Sequence, residues 1–169
     1  DGALVITAAP AAPEVAMDDP RPRFVGRRQQ HERARIGAVL EPGDGIGGLS
    51  VRYDEDHHYD VERAGDVVVA RVRLDQIEHL WSAPAPAGPL ELWIDTVPSQ
   101  VAFTSAGMTC DTVRLGFTAD GVETEVAAMD GRYLTSDTCA SFTGRVWGPY
   151  AARGEVAFSS ATYVGNDER

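Results

Sequence analysis

Lysine is absent from the 169-residue sequence, so all 15 basic residues other than histidine are arginine. Set against 26 acidic residues they leave a formal net charge of −11, and no basic run or stripe offsets it. A surface of that sign repels phosphate backbones and anionic lipid, which argues against nucleic acid and membrane as partners. No apolar run approaches the roughly 18 to 20 residues that span a bilayer, and the N-terminus lacks the basic start and apolar centre of a secretory signal. The chain begins at Asp1 and not at Met, which suggests an excised part of a longer protein. Arginine used to the exclusion of lysine suggests a GC-rich genome.

Cysteine is scarce too. Cys110 and Cys139 are the only two, with no CxxC pair and no His/Cys cluster at zinc spacing, so a structural zinc site is not expected. Paired, they would close a loop worth about 3 to 4 kcal/mol in the chain-entropy model; two separate buried thiols are the alternative. Helical periodicity is also missing, because glycine and proline interrupt every window long enough to hold it.

What is present is alternation with a period of two. GGLSVRY sets Leu49, Val51 and Tyr53 against Ser50 and Arg52, and DVVVARVRL sets Val68, Ala70, Val72 and Leu74 against Arg71 and Arg73. LELWIDT sets Leu90, Leu92 and Ile94 against Glu91, Trp93 and Asp95. TVRLGF, GVETEVA and EVAFSSATYVG continue the pattern, separated by turn clusters such as EPGDGIGG, APAPAGP and TADG. These runs predict an all-β, two-sheet antiparallel sandwich of roughly ten strands in one domain over residues 23–169, with a barrel as the alternative. Residues 1–22, rich in Ala, Pro and Asp, read as a connector with one short strand around Leu4 to Ile6.

The richest cluster of titratable groups is YDEDHHYDVE, residues 53–62. Its odd positions are apolar on both flanks, so a hairpin pairing Tyr53 with Tyr59 keeps one face apolar, sets Arg52 opposite Asp60 and leaves Glu55, Asp56 and His57 as the loop. Neighbouring His57 and His58 diverge on a strand, and the spacing of a calcium-binding EF-hand loop fails at Tyr59 and Gly65. The stretch therefore reads as a solvated turn, not a metal site. GDGIGG lacks the lysine of a phosphate-binding loop and precedes a strand. No nucleophile elbow occurs, and no motif places a histidine beside a serine or cysteine. Among the aromatics, Tyr53 and Tyr59 fall on apolar faces, whereas Trp93 falls on the polar face of its strand and is the sugar-stacking candidate.

Four segments, in order, carry a resemblance: RFVGRRQQH (23–31), GGLSVRYDEDHHYDVE (47–62), DGRYLTSDTCASFTGRVWGPYA (130–151) and a last strand ending TYVG. Over roughly residues 20–165 they resemble the C-terminal concanavalin-A-like β-sandwich of glycoside hydrolase family 43 β-xylosidases and α-L-arabinofuranosidases. The resemblance implies an accessory domain whose partner is an upstream five-bladed propeller of the same polypeptide, in a bacterial, weakly cytoplasmic parent that can be a homo-oligomer. Such enzymes are inverting glycosidases acting on the ends of xylo- or arabino-oligosaccharides. Their three catalytic carboxylates lie in the propeller, so no catalytic residue, cofactor or metal is expected in this chain. The phenylalanine of the FTG motif, here Phe142, is implied to close the substrate pocket. Arg27, Arg28, Gln29, Gln30 and His31 are implied as a domain-interface seam. Cys139, Ala140 and Ser141 stand where the family carries a Gly-Gly pair, which bears on the reach of Phe142. The reading from a different class is a self-sufficient, lectin-like carbohydrate-binding module acting through Trp93.

Overall fold

The computed structural model describes residues 2–8, 16–98, 110–139 and 141–166. In chain order the strands are β1 (Leu4–Ala8), β2 (Arg27–Arg28), β3 (Arg33–Leu40), β4 (Ile46–Arg52), β5 (His57–Ala64), β6 (Val67–Leu74), β7 (Ile77–Pro84), β8 (Leu90–Val97), β9 (Thr112–Ala119), β10 (Val122–Asp130) and β11 (Val146–Asn166). One short helix, α1 (Ser136–Cys139), precedes β11. No helix among the described residues is long and apolar enough to cross a membrane.

The strands run in the order β10-β9-β8-β3-β11-β4-β5-β6-β7, all neighbours antiparallel, with β1 and β2 added to β11. The 21-residue β11 belongs to both layers: its first half pairs with β4 and its second half with β3. Register shifts near Arg153 and Ser160, and a left-handed Gly154 at φ 68°, let one strand bend from layer to layer. The sandwich is thereby closed on one side by a continuous chain.

Alternation explains the core. Leu49, Val51, Tyr59, Val61, Val68 and Ala70 from one layer meet Ile36, Leu92, Ile94, Leu115 and Phe117 from the other, all buried. Each large apolar side chain buried in this way stabilises the fold by about 1.5 to 3 kcal/mol. β3 and β7 were not foreseen. Gly37 breaks the apolar series of β3, and β7 is an edge strand of mostly exposed side chains.

Two expectations about the hairpin change. Val51 stands opposite Tyr59 and Arg52 opposite His58, so the register differs from the expected Tyr53–Tyr59 pairing while the apolar face is kept. The cause is Asp54, whose Oδ1 accepts from Asp56 N at 3.0 Å and lies 2.8 Å from His57 Nδ1, closing the turn one residue early. The second change concerns the other face. His58 and Asp60 are fully buried and Glu62 nearly so, because the turn Ala16–Asp18 lays Met17 and Asp18 across the outside of the sheet, beside Tyr150.

That outer layer is polar inside. His58 Nδ1 lies 2.8 Å from Asp60 Oδ2, and Nε2 lies 2.9 Å from Asp18 Oδ1. Carboxylates only accept, so both nitrogens donate and the ring is an imidazolium. Burial alone would lower its pKa, but the charges and hydrogen bonds of Asp60 and Asp18 outweigh this and hold it above the usual histidine value. Alongside, Glu62 accepts from Tyr150 Oη at 2.7 Å and from Arg71 Nη1 at 3.3 Å.

Candidate functional site

Between α1 and β11 the chain turns through residues 141–145, and Phe142 projects from that turn with 97% of its surface exposed. The turn is held on both sides. Tyr53, at the end of the β4 hairpin, donates its hydroxyl to Ser141 O at 2.6 Å. After Phe142, Gly144 adopts φ 72°, a conformation costly for any other residue, and Arg28 reaches over its backbone.

Arg145 completes the anchorage. Its guanidinium grips both oxygens of Asp111, with Nη2 2.8 Å from Oδ1 and Nη1 in close contact with Oδ2. It also donates to Gly131 O at 2.6 Å and Leu134 O at 2.9 Å. Residue 131 has no room for a side chain, since a Cβ there would stand 2.2 Å from Asp111 Oδ1. Burial would raise the Asp111 pKa, but hydrogen bonding and charge from Arg145 hold it below the usual carboxylate value. Five donors in a fixed fork suit arginine to bracing several segments at once.

Beside this turn lies an open groove of about 720 Å³. Gln29, Gln30 and His31 line one part of it and Phe142, Arg145 and Tyr53 another. The QQH segment is itself ordered: Gln29 Nε2 donates to His31 O at 2.8 Å, Gln30 N donates to Tyr163 Oη at 3.1 Å, and His31 Nδ1 lies 2.9 Å from the same hydroxyl. Arg27 stacks 3.8 Å over the Tyr163 ring. Arg27 and Arg28 form β2, exposed and paired with the start of β11. The structure therefore brings the sequence-predicted Phe142 and the RRQQH segment to one surface. Ala140, part of the departure from the Gly-Gly pattern, lies outside the described residues.

Trp93 is elsewhere and requires correction. It is only 1% exposed, with Arg35 at 4.5 Å and Arg114 at 5.9 Å over its ring. Those arginines pair with Glu123 and Glu125 of β10, so charged side chains from neighbouring strands roof the indole. A sugar cannot stack on this ring without displacing them. Alternation correctly put Trp93 on the face opposite Leu92 and Ile94, but it cannot tell what folds over that face.

Arg145 and Asp111 also belong to this surface, and sequence reading did not single them out; Cys110, considered there only as a disulfide partner, lines it too. The only signal available was the arginine directly after FTG. Cys110 and Cys139 are both free thiols.

The strand order and the one long strand shared between layers define an antiparallel β-sandwich. Residues 1–163 match the family described as the β-xylosidase C-terminal concanavalin A-like domain, and the chain belongs to that family. No curated protein sequence matches it. Among solved structures it is similar to the GH43 protein BlXynB (K247S mutant) from Bacillus licheniformis, at 15% identity and TM-score 0.77, covering 98% of this chain and 33% of that one. It is similar as well to the xylan β-1,4-xylosidase from Bacillus halodurans C-125, at 16% identity and TM-score 0.70, covering 95% and 32%. A third likeness is to the Bacteroides ovatus xyloglucan PUL GH43B, at 22% identity and TM-score 0.68, covering 86% and 30%. The chain thus corresponds to about a third of the length of each of these proteins.

Proposed function

We propose that this chain is the accessory C-terminal sandwich of an inverting β-xylosidase or α-L-arabinofuranosidase, and that its Phe142 turn helps close the pocket of a propeller catalytic domain in the same polypeptide. The observation that carries the reading is Phe142 itself. A phenylalanine on a turn held by Tyr53 on one side and Arg145 on the other, with 97% of its surface exposed, gains little from packing among the described residues, whereas burial against a partner returns about 1.5 to 3 kcal/mol. At a pocket rim such a ring excludes water and limits the space to terminal sugars. Gln29, Gln30 and His31, with Arg27 and Arg28 beside them, supply the polar part of the same contact surface. The catalytic acid and base belong to the propeller, and none is assigned here.

The test is hydrolysis of nitrophenyl xyloside and nitrophenyl arabinofuranoside by this chain alone and by the protein extended through the upstream coding sequence. Activity confined to the longer protein supports the proposal. Turnover by the 169-residue chain would overturn it. The lectin-like alternative loses its leading residue with the burial of Trp93.

A further inference from the structure

We propose that Asp54, His57 and Cys139 form a binding site for a zinc-class divalent cation at the foot of the Phe142 turn. These three residues each offer a ligating atom, and the three atoms lie within 4.8 Å of one another. They come from two segments far apart in sequence. Asp54 and His57 flank the β4–β5 turn, and Cys139 ends α1, three positions before Phe142.

The donor set selects the metal. A thiolate, an imidazole and a carboxylate are the ligands of a tetrahedral borderline-soft ion, and they disfavour calcium and magnesium, which take oxygen alone. Bond lengths of about 2.0 to 2.3 Å put tetrahedral ligands roughly 3.3 to 3.7 Å apart, so the widest pair must close by about 1 Å and the 2.8 Å pair of Asp54 Oδ1 and His57 Nδ1 must open by about 0.5 Å. Three protein ligands leave a fourth position for water.

The surroundings favour occupancy. Asp56 N donates to Asp54 Oδ1 and orients the carboxylate, and the proton shared between His57 Nδ1 and Asp54 Oδ1 is the one an ion would displace. Among the described residues Cys139 Sγ has one long hydrogen bond to give up, 3.5 Å to Tyr133 O. Glu55 and Asp56 add negative charge on the same turn. The same two segments already touch through the Tyr53 to Ser141 hydrogen bond, so the ion would act as a second tie beneath Phe142.

Sequence reading ruled out a site here because His57 and His58 diverge. They do: His58 turns to Asp60 and Asp18 on the sealed face. The ligand that completes the trio is a cysteine no local motif could supply.

The test is titration of the reduced, metal-free chain with Co²⁺, then displacement by Zn²⁺. One equivalent should bind with an intense tetrahedral visible spectrum and a thiolate-to-cobalt charge-transfer band, both bleached by Zn²⁺. Cys139→Ser should abolish the charge-transfer band, His57→Ala should weaken binding at least tenfold, and Cys110→Ser should change neither. Circular dichroism shows whether each variant is folded, and the wild-type spectrum decides even if one is not. A weak octahedral spectrum without the thiolate band, sub-stoichiometric binding, or a band that survives Cys139→Ser would overturn the site.

Discussion

The sealed outer face of β4–β5–β6 and the turn bearing Phe142 reverse the usual placement of polar and apolar groups. On the first, His58, Asp60 and Glu62 are buried beneath Ala16–Asp18; on the second, a phenylalanine stands in water. Both rest on polar contacts. The buried charges are compensated by partners of their own kind, His58 by two carboxylates and Glu62 by Arg71 and Tyr150. The turn that carries the exposed ring is braced by a half-buried arginine fork and a tyrosine hydroxyl. A titratable cluster sealed by its own chain is architecture, while the apolar ring held out at a fixed position is the feature on which the proposed contact with a second domain rests.

Variants can break this comparison. The largest loss of stability is expected from Arg145→Met, which leaves the half-buried Asp111 carboxylate without its partner and two carbonyls without donors. Removing one member of a fully buried pair costs about 3 to 5 kcal/mol, so a loss of about 3 kcal/mol is expected for this partly buried one, read as a drop in urea midpoint. His58→Ala should cost about 3 kcal/mol by the same reasoning, and a loss below about 1 kcal/mol would show the sealed face to be more hydrated than described. Trp93→Ala should also cost about 3 kcal/mol through the cavity it leaves, with no change in sugar affinity at millimolar xylo-oligosaccharide; a change in affinity without a stability loss would restore its surface role.

A smaller effect comes from acid. The Asp111 pKa is lowered on folding, so its contribution is present above the ordinary carboxylate value of 3.8 and is lost as pH falls through the folded value. Stability should therefore fall on acidification below about pH 4, and Arg145→Met should flatten that limb of the profile. The smallest stability change, within about 0.5 kcal/mol, is expected from Phe142→Ala, since the ring is almost wholly exposed.

Much of the fold was legible because period-two alternation reports which face of a strand is apolar. Leu49 and Val51, Val68 and Ala70, and Leu90 and Leu92 all lie in the core as their spacing requires. Alternation reports faces and not coverings, which is why the burial of Trp93 under Arg35 and Arg114, and of His58 under Asp18, could not be read. Register was legible only as parity, since Asp54 closes the turn through its side chain. Of the site, Phe142 and the RRQQH segment could be named from an ordered resemblance. The Arg145–Asp111 clamp could not, because its members are distant in sequence and neither belongs to a periodic pattern.

The central claim is that Phe142 acts on another domain and not on its own fold. The most direct test is kcat/KM on nitrophenyl xyloside for the longer protein with and without Phe142→Ala, alongside the unfolding midpoint of each. A loss of at least about tenfold, or 1.4 kcal/mol of transition-state stabilisation, at an unchanged midpoint is the predicted result. Unchanged kinetics, or a loss that follows a lowered midpoint, would contradict it.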